Sequence, residues 1–117
     1  MNKEDREFLH RLLNTPSPTG FEMPGQKVWA EWISGHAAAV ECDAYGSTWA
    51  TLPGKSDRIV MLAAHADEIG YMVKHIDDQG FLRIDRVGGS DAATARGRRL
   101  GGGRRAAARI RGEPRRG

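Results

Sequence analysis

The feature that most constrains the fold of this chain is a run of six apolar residues that ends in a histidine and two acids. No polar residue interrupts residues 59–64, and His65, Asp67 and Glu68 follow directly. A short continuous apolar run bounded by polar residues is typical of a strand buried on both faces, as in the middle of an α/β sheet. Because ligands in open α/β sheets gather at the carboxyl ends of strands, polar side chains placed there are candidates for chemistry.

The His-x-Asp pair at this predicted strand end combines a possible metal ligand with a carboxylate that can orient it. The neutral ring of His65 can donate one nitrogen to a metal ion. Asp67, two residues on, is close enough to accept the other ring N–H and so to fix the tautomer. The same pattern arises when a histidine ends a strand and an aspartate caps the following turn. On this pattern alone, the second, purely structural interpretation is favoured.

The 117 residues correspond to about one small domain. Charge is distributed unevenly along this length. Residues 92–117 contain nine of the 18 basic residues and only one acid, Glu113, whereas residues 1–91 carry more acids than bases. Arg, Gly and Ala make up 21 of these last 26 residues, so the composition predicts a disordered tail. A basic tail leaves open a small nucleic-acid-binding protein, but the tail has no aromatic residue to stack on bases and the body is acidic.

The remaining composition indicates a soluble cytoplasmic protein with no membrane partner. The single cysteine, Cys42, cannot form an internal disulfide, and we expect it to be a small buried apolar side chain. The first residues are charged and do not resemble a secretory signal. No apolar run approaches the length of about 20 residues that a membrane helix needs.

Periodicity predicts two helices and two hairpins around the apolar run. The first helix covers residues 3–14, with Asn2 as its N-cap. The second has Pro24 in its first turn and ends at Gly35. Residues 38–43 and 48–52 alternate as strands, and a second hairpin covers residues 71–87 with its turn at 77–80. His75, Asp77 and Asp78 could be metal ligands, but a solvated hairpin end is favoured.

Three motifs, in order and at matching spacing, resemble a known peptidase family. They are residues 12–22 (LLNTPSPTGFE), residues 64–73 (AHADEIGYMV), and the hairpin pair Phe81-Leu82 followed by residues 87–91 (VGGSD). Together they resemble metallopeptidase family forty-two, which comprises the glutamyl, deblocking and tetrahedral aminopeptidases. The resemblance covers about residues 8–91 and reverses the preference that the isolated His-x-Asp pair gave.

The resemblance implies a co-catalytic metalloaminopeptidase that acts on peptides. Family members hold two divalent metal ions, zinc or cobalt, bridged by water, with a glutamate as general base. By position, His65 would ligate one metal and Asp67 would be the acid that orients it. Glu68 matches a family position without an assigned role. The implied fold is the N-terminal part of a three-layer α/β/α zinc-exopeptidase domain, and the hairpin would begin a β-barrel insert that family members use for homo-oligomer assembly.

The implied organisation is residues 1–68 as part of the catalytic domain, 69–91 as the start of the insert and 92–117 as an aberrant tail. The family's other metal ligands and its Glu-Glu pair lie beyond this length, so we expect at most one metal ligand here and no activity from the chain alone. Our hypothesis for the tail is a frameshift, real or a sequencing error. A nonfunctional translation product is a further alternative.

Overall fold

The computed structural model describes residues 1–89, Asp91, 99–101 and 107–109, and divides the chain into two units, Met1–Glu68 and Ile69–Gly117. The first unit contains two helices and a hairpin, and the described residues of the second form two antiparallel strand pairs. Within the described residues, no helix has both the length and the apolar character needed to cross a membrane. Mixed helix and strand content agrees with the expected α/β class.

Helix α1 (Lys3–Leu13) begins where its sequence predicts, because Asn2 and Asp5 form a capping box. The Asn2 side chain accepts from the Asp5 backbone N–H at 2.7 Å, and the Asp5 carboxylate accepts from the Asn2 backbone N–H at 3.4 Å. At the other end, the Asn14 side-chain amide donates to the His10 carbonyl at 2.7 Å. Local hydrogen bonds therefore define both ends of α1.

Helix α2 (Met23–Ile33) has Pro24 in its first turn, as predicted, and packs against α1 through aromatic rings. Phe8 and Trp32 stack with ring centroids 4.2 Å apart and planes 13° from parallel. Val28 on α2 is the one buried apolar side chain among the described residues. Trp32 is thus a packing residue between the two helices.

Strands β1 (Ala39–Cys42) and β2 (Thr48–Thr51) form the predicted antiparallel hairpin. Its turn is organised by Asp43, whose Oδ1 accepts from the backbone N–H groups of Tyr45 and Ser47, each at 2.9 Å. Gly46 completes the turn with a φ of +89°, which a residue with a side chain rarely adopts.

Cys42 is exposed on β1, so the prediction that it is buried is wrong. A strand in a two-stranded sheet has no second layer to cover its outer face.

The prediction of a buried central strand over residues 59–64 is wrong for this structure. These residues form no strand, and the large side chains from Ile59 to Leu62 are 82–95% exposed. A strand buried on both faces requires hydrogen-bonded neighbours and covering helices, and no described strand pairs with this segment. A single parallel bridge forms after the apolar run has ended, between Glu68 and Pro18.

In the second unit, β3 (Gly70–Ile76) and β4 (Leu82–Val87) form the second predicted hairpin. The register shifts by one residue between Val73 and His75, which marks a bulge. Asp77 organises the turn as Asp43 does in the first hairpin, its Oδ1 accepting from the backbone N–H groups of Gln79 and Phe81. The interpretation of Asp77 as part of a hairpin end is therefore confirmed. Lys74 and Asp85 pair across the strands at 2.9 Å.

Two short strands, β5 (Arg99–Gly101) and β6 (Ala107–Arg109), pair antiparallel within the tail. The prediction of a tail without ordered elements is wrong for these six residues, because backbone hydrogen bonds pair strands without large apolar side chains. Residues 90, 92–98, 102–106 and 110–117 lie outside the described residues. The prediction of disorder for this part of the tail therefore stays a prediction.

Candidate active site

The loop after α1 and the His-x-Asp-Glu segment meet in the first unit, although about fifty residues separate them in sequence. Pro18 and Glu68 form a parallel bridge, and the Glu68 backbone N–H donates to the Ser17 carbonyl at 2.8 Å. The stiff Pro-x-Pro loop thus lies directly against the residues that carry the candidate chemistry.

The Glu68 side chain strengthens this contact. Its Oε1 accepts from the Ser17 backbone N–H at 2.8 Å, so Glu68 binds both polar groups of the Ser17 backbone. Ser17 is buried, and its hydroxyl donates to the Glu22 carbonyl at 3.3 Å. Glu68, to which the sequence gave no role, therefore holds the loop in place.

Asp67 lies at the centre of the site and uses both carboxylate oxygens. Oδ2 accepts from the Thr19 hydroxyl at 2.6 Å, and Oδ1 lies 2.9 Å from Nδ1 of His65. The hydrogen bond from Thr19 lowers the pKa of Asp67 below the ordinary aspartate value, and the bond to His65 lowers it further. Asp67 is therefore an ionised acceptor at neutral pH.

Among the described residues, the ring of His65 meets hydrogen-bond acceptors at Nδ1. Nδ1 lies 2.9 Å from the Asp67 carboxylate and 3.0 Å from the Asp67 backbone carbonyl. Because neither oxygen carries a proton, Nδ1 must be a protonated nitrogen, and in the neutral ring Nε2 then keeps its lone pair. The His65 side chain is 85% exposed, so Nε2 is accessible to a ligand.

The donor set suits one coordination bond to a metal ion. A neutral imidazole whose second nitrogen donates to a carboxylate is the usual arrangement of a histidine bound to zinc. The described residues contain no cluster of three or more His, Cys, Asp or Glu side chains that could hold a metal, whereas catalytic zinc sites generally use three protein ligands. His65 thus fits as one ligand of a site that needs other donors.

The other residues that the sequence offered as ligands belong to the second hairpin. His75 lies at an exposed position of β3, the Asp77 carboxylate accepts two backbone N–H groups in the β3–β4 turn, and Asp78 is exposed in the same turn.

The sequence predicts the pair His65–Asp67, and it marks residues 12–22 as a motif without giving Ser17 or Thr19 a role. No periodic pattern connects residues so far apart, so their contacts with Asp67 and Glu68 could not be predicted.

The comparison with protein families decides the affiliation. The sequence profile of the M42 glutamyl aminopeptidases matches residues 46–112. The chain belongs to this family. The match includes His65, Asp67 and Glu68, and it continues through most of the arginine-rich tail.

Individual relatives agree with this affiliation. Over 86 residues the chain is 35% identical to lysyl aminopeptidase of Pyrococcus furiosus, covering 73% of this chain and 25% of that protein. The crystal structure of a TET aminopeptidase from a marine sediment archaeon of the Thaumarchaeota superposes with a TM-score of 0.76 at 27% identity, covering 83% of this chain and 27% of the other. An aminopeptidase from the archaeon Desulfurococcus kamchatkensis superposes with a TM-score of 0.71 at 29% identity, covering 83% and 28% of the two chains. The chain thus spans about a quarter of the length of the proteins it matches.

Proposed function

We propose that this chain contributes the N-terminal part of a metal-dependent aminopeptidase that removes N-terminal residues from peptides. The observation that carries the proposal is the geometry of His65 and Asp67 inside the segment that matches the family. A carboxylate bound to Nδ1 leaves Nε2 as the donor atom, which is the arrangement that a metal-binding histidine needs.

Each residue of the site has a separate task in this proposal. His65 would hold one metal ion through Nε2, and Asp67 fixes the ring and its tautomer. The two divalent ions that the resemblance implies, zinc or cobalt, would supply polarisation of the scissile carbonyl and a lower pKa of a water molecule. Glu68 and Thr19 bind neighbouring groups of the same site and need not touch substrate.

The same proposal extends to the surroundings of the site. The substrates are peptides with a free N-terminus, the working form is a cytoplasmic homo-oligomer, and the β3–β4 hairpin begins the β-barrel insert through which the subunits assemble. Since the described residues supply one metal ligand, the other ligands come from sequence beyond the positions matched here, and we expect the 117-residue chain alone to be inactive.

The first test is an assay of the chain itself. The purified protein is mixed with chromogenic amino-acid anilides in the presence of zinc or cobalt ions, and we expect no metal-dependent release of the anilide. Clear release that a chelator abolishes would contradict the expected inactivity.

The second test concerns the coding sequence. Resequencing and translation in all three frames should reveal, downstream of the family-matched residues 46–112, apolar-alternating strands followed by further Asp, Glu-Glu and His motifs. The protein expressed from that longer frame should hydrolyse the anilides, lose activity with His65→Ala and keep it with His10→Ala. The absence of such motifs in every frame would contradict both the frameshift hypothesis and the proposed origin of the missing ligands.

A further inference from the structure

The loop that faces Asp67 is fixed from two sides. Glu68 binds the N–H and the carbonyl of Ser17, each at 2.8 Å. On the side of α2, the Ser17 side chain lies so close to Gly25 that a Cβ at position 25 would be 2.3 Å from the Ser17 hydroxyl oxygen. Ser17 therefore has little freedom to move, and Thr19, two residues later, has a defined position.

The chain turns immediately after Thr19, which keeps the threonine hydroxyl directed at Asp67. Gly20 has a φ of +84°, a conformation that favours glycine, and its N–H donates to the Glu22 carboxylate. The Thr19 hydroxyl then donates to Asp67 Oδ2 at 2.6 Å. Backbone contacts on both sides of Thr19 thus define the geometry of this hydrogen bond.

A carboxylate held at only one oxygen rotates easily, because its terminal torsion has a broad energy minimum. Thr19 binds one oxygen of Asp67 and His65 binds the other, at 2.6 and 2.9 Å. The hydrogen bond from Thr19 therefore restrains the plane of the carboxylate and keeps Oδ1 directed at Nδ1.

The orientation of His65 depends on these contacts, because little else holds its ring. The side chain is 85% exposed, and its hydrogen bonds in the described part of the chain all go from Nδ1 to Asp67. In an exposed histidine the tautomer is set by the hydrogen bonds that the ring makes. Whatever holds Asp67 thus also determines which nitrogen of His65 is free.

We infer that Thr19 is a positioning residue that acts through Asp67 to keep the proton of His65 on Nδ1 and to present Nε2 to a metal ion. Glu68 supports it by fixing the loop on which Thr19 lies. The importance of this arrangement for catalysis rests on the proposed function, but the arrangement itself can be measured without metal or substrate.

The test is a long-range proton–nitrogen NMR spectrum of the His65 ring in the full 117-residue chain, recorded well above the ordinary histidine pKa of about 6.5. We expect the unsubstituted protein to show the proton on Nδ1. Thr19→Ser keeps the hydroxyl and should give the same spectrum. Thr19→Val has a similar shape without the donor, and we expect a clear shift of the population towards the Nε2–H tautomer.

Two further variants separate positioning from general damage to the loop. Thr15→Val makes the same substitution in the same loop but removes a hydroxyl that donates to the Arg11 carbonyl, so the His65 spectrum should not change. Glu68→Ala removes the acceptor for Ser17 and should shift the tautomer as Thr19→Val does. Glu68→Gln keeps an acceptor oxygen and should behave like the unsubstituted protein.

Three results would overturn the inference. They are an Nε2–H tautomer in the unsubstituted protein, an unchanged tautomer in Thr19→Val, and a Thr19→Ser spectrum equal to that of Thr19→Val. The tautomer of the unsubstituted protein can be measured without any variant, so this result tests the inference even if a substitution prevents folding. If the protein from the longer frame is inactive but the spectra are as expected, only the proposed function is refuted. If that protein is active but Thr19→Val leaves the His65 spectrum unchanged, only this inference is refuted.

Discussion

At the scale of single residues, the site is organised around one carboxylate with two different donors. The sequence predicts the contact between His65 and Asp67, because in an extended segment two side chains spaced by two residues lie on the same side of the chain. It does not predict the hydrogen bond from Thr19, which joins residues 48 positions apart. Contacts of that kind depend on how the chain returns on itself, and neither periodicity nor composition encodes this directly.

The two donors to Asp67 have a consequence for its titration. The Thr19 hydroxyl and, less strongly, His65 lower the pKa of Asp67. The stabilisation from these contacts is therefore complete above the ordinary aspartate pKa of about 3.9 and is lost as the pH falls through the lower pKa of the folded protein. We predict that Thr19→Val raises the pKa of Asp67, measured from the carboxyl carbon shift in an NMR titration, whereas Thr15→Val does not. An equal midpoint in both variants would show that the hydroxyl has no such effect.

At the scale of elements, local signals account for what the sequence predicts well. The capping box of Asn2 and Asp5, Pro24 in the first turn of α2 and alternation in both hairpins act between near neighbours. The apolar run at residues 59–64 fails as a prediction because a buried strand depends on distant partners, and no described strand supplies them.

The two hairpins share a turn that the sequence displays as Asp-x-x-Gly. In each, the aspartate Oδ1 accepts from two backbone N–H groups and the glycine has a positive φ: Asp43 with Gly46, and Asp77 with Gly80. An aspartate that binds its own backbone in this way favours the turn over an extended chain. The repeated motif explains why both hairpins were predictable.

We predict that Asp77→Ala destabilises the β3–β4 hairpin by about 1 kcal/mol, because it removes the acceptor for the N–H groups of Gln79 and Phe81. Amide hydrogen exchange in β3 and β4 should become roughly fivefold faster. The matched variant is Asp78→Ala, at the neighbouring exposed aspartate, which should leave exchange unchanged. Equal effects of the two substitutions would mean that the Asp77 side chain does not organise the turn.

At the scale of the whole molecule, the main physical feature is apolar surface without a cover. Ile59, Val60, Met61 and Leu62 are consecutive and almost fully exposed, although long exposed apolar segments are unusual in stable monomers. In the sequence this segment has the character of an interior strand. Both facts are explained if the segment is covered by parts of the longer family architecture.

We therefore predict that the 117-residue chain self-associates as its concentration rises, measured by light scattering during size-exclusion chromatography. Val60→Ser with Leu62→Ser should reduce the association, because the pair removes apolar area from the exposed segment. Leu13→Ser changes an exposed leucine at the end of α1 and should have little effect. A monodisperse monomer that melts in one sharp transition would count against this view of the segment.

We propose that His65 in this chain serves as a metal ligand of an aminopeptidase, and a chimera can test this claim. The 86-residue region shared with Pyrococcus furiosus lysyl aminopeptidase replaces its counterpart in that protein, and release of N-terminal lysine is measured with and without a chelator. We predict metal-dependent release that His65→Ala abolishes and that His75→Ala, at an exposed position of β3, leaves intact. Release by the His65→Ala chimera at the rate of the unsubstituted chimera would contradict the claim.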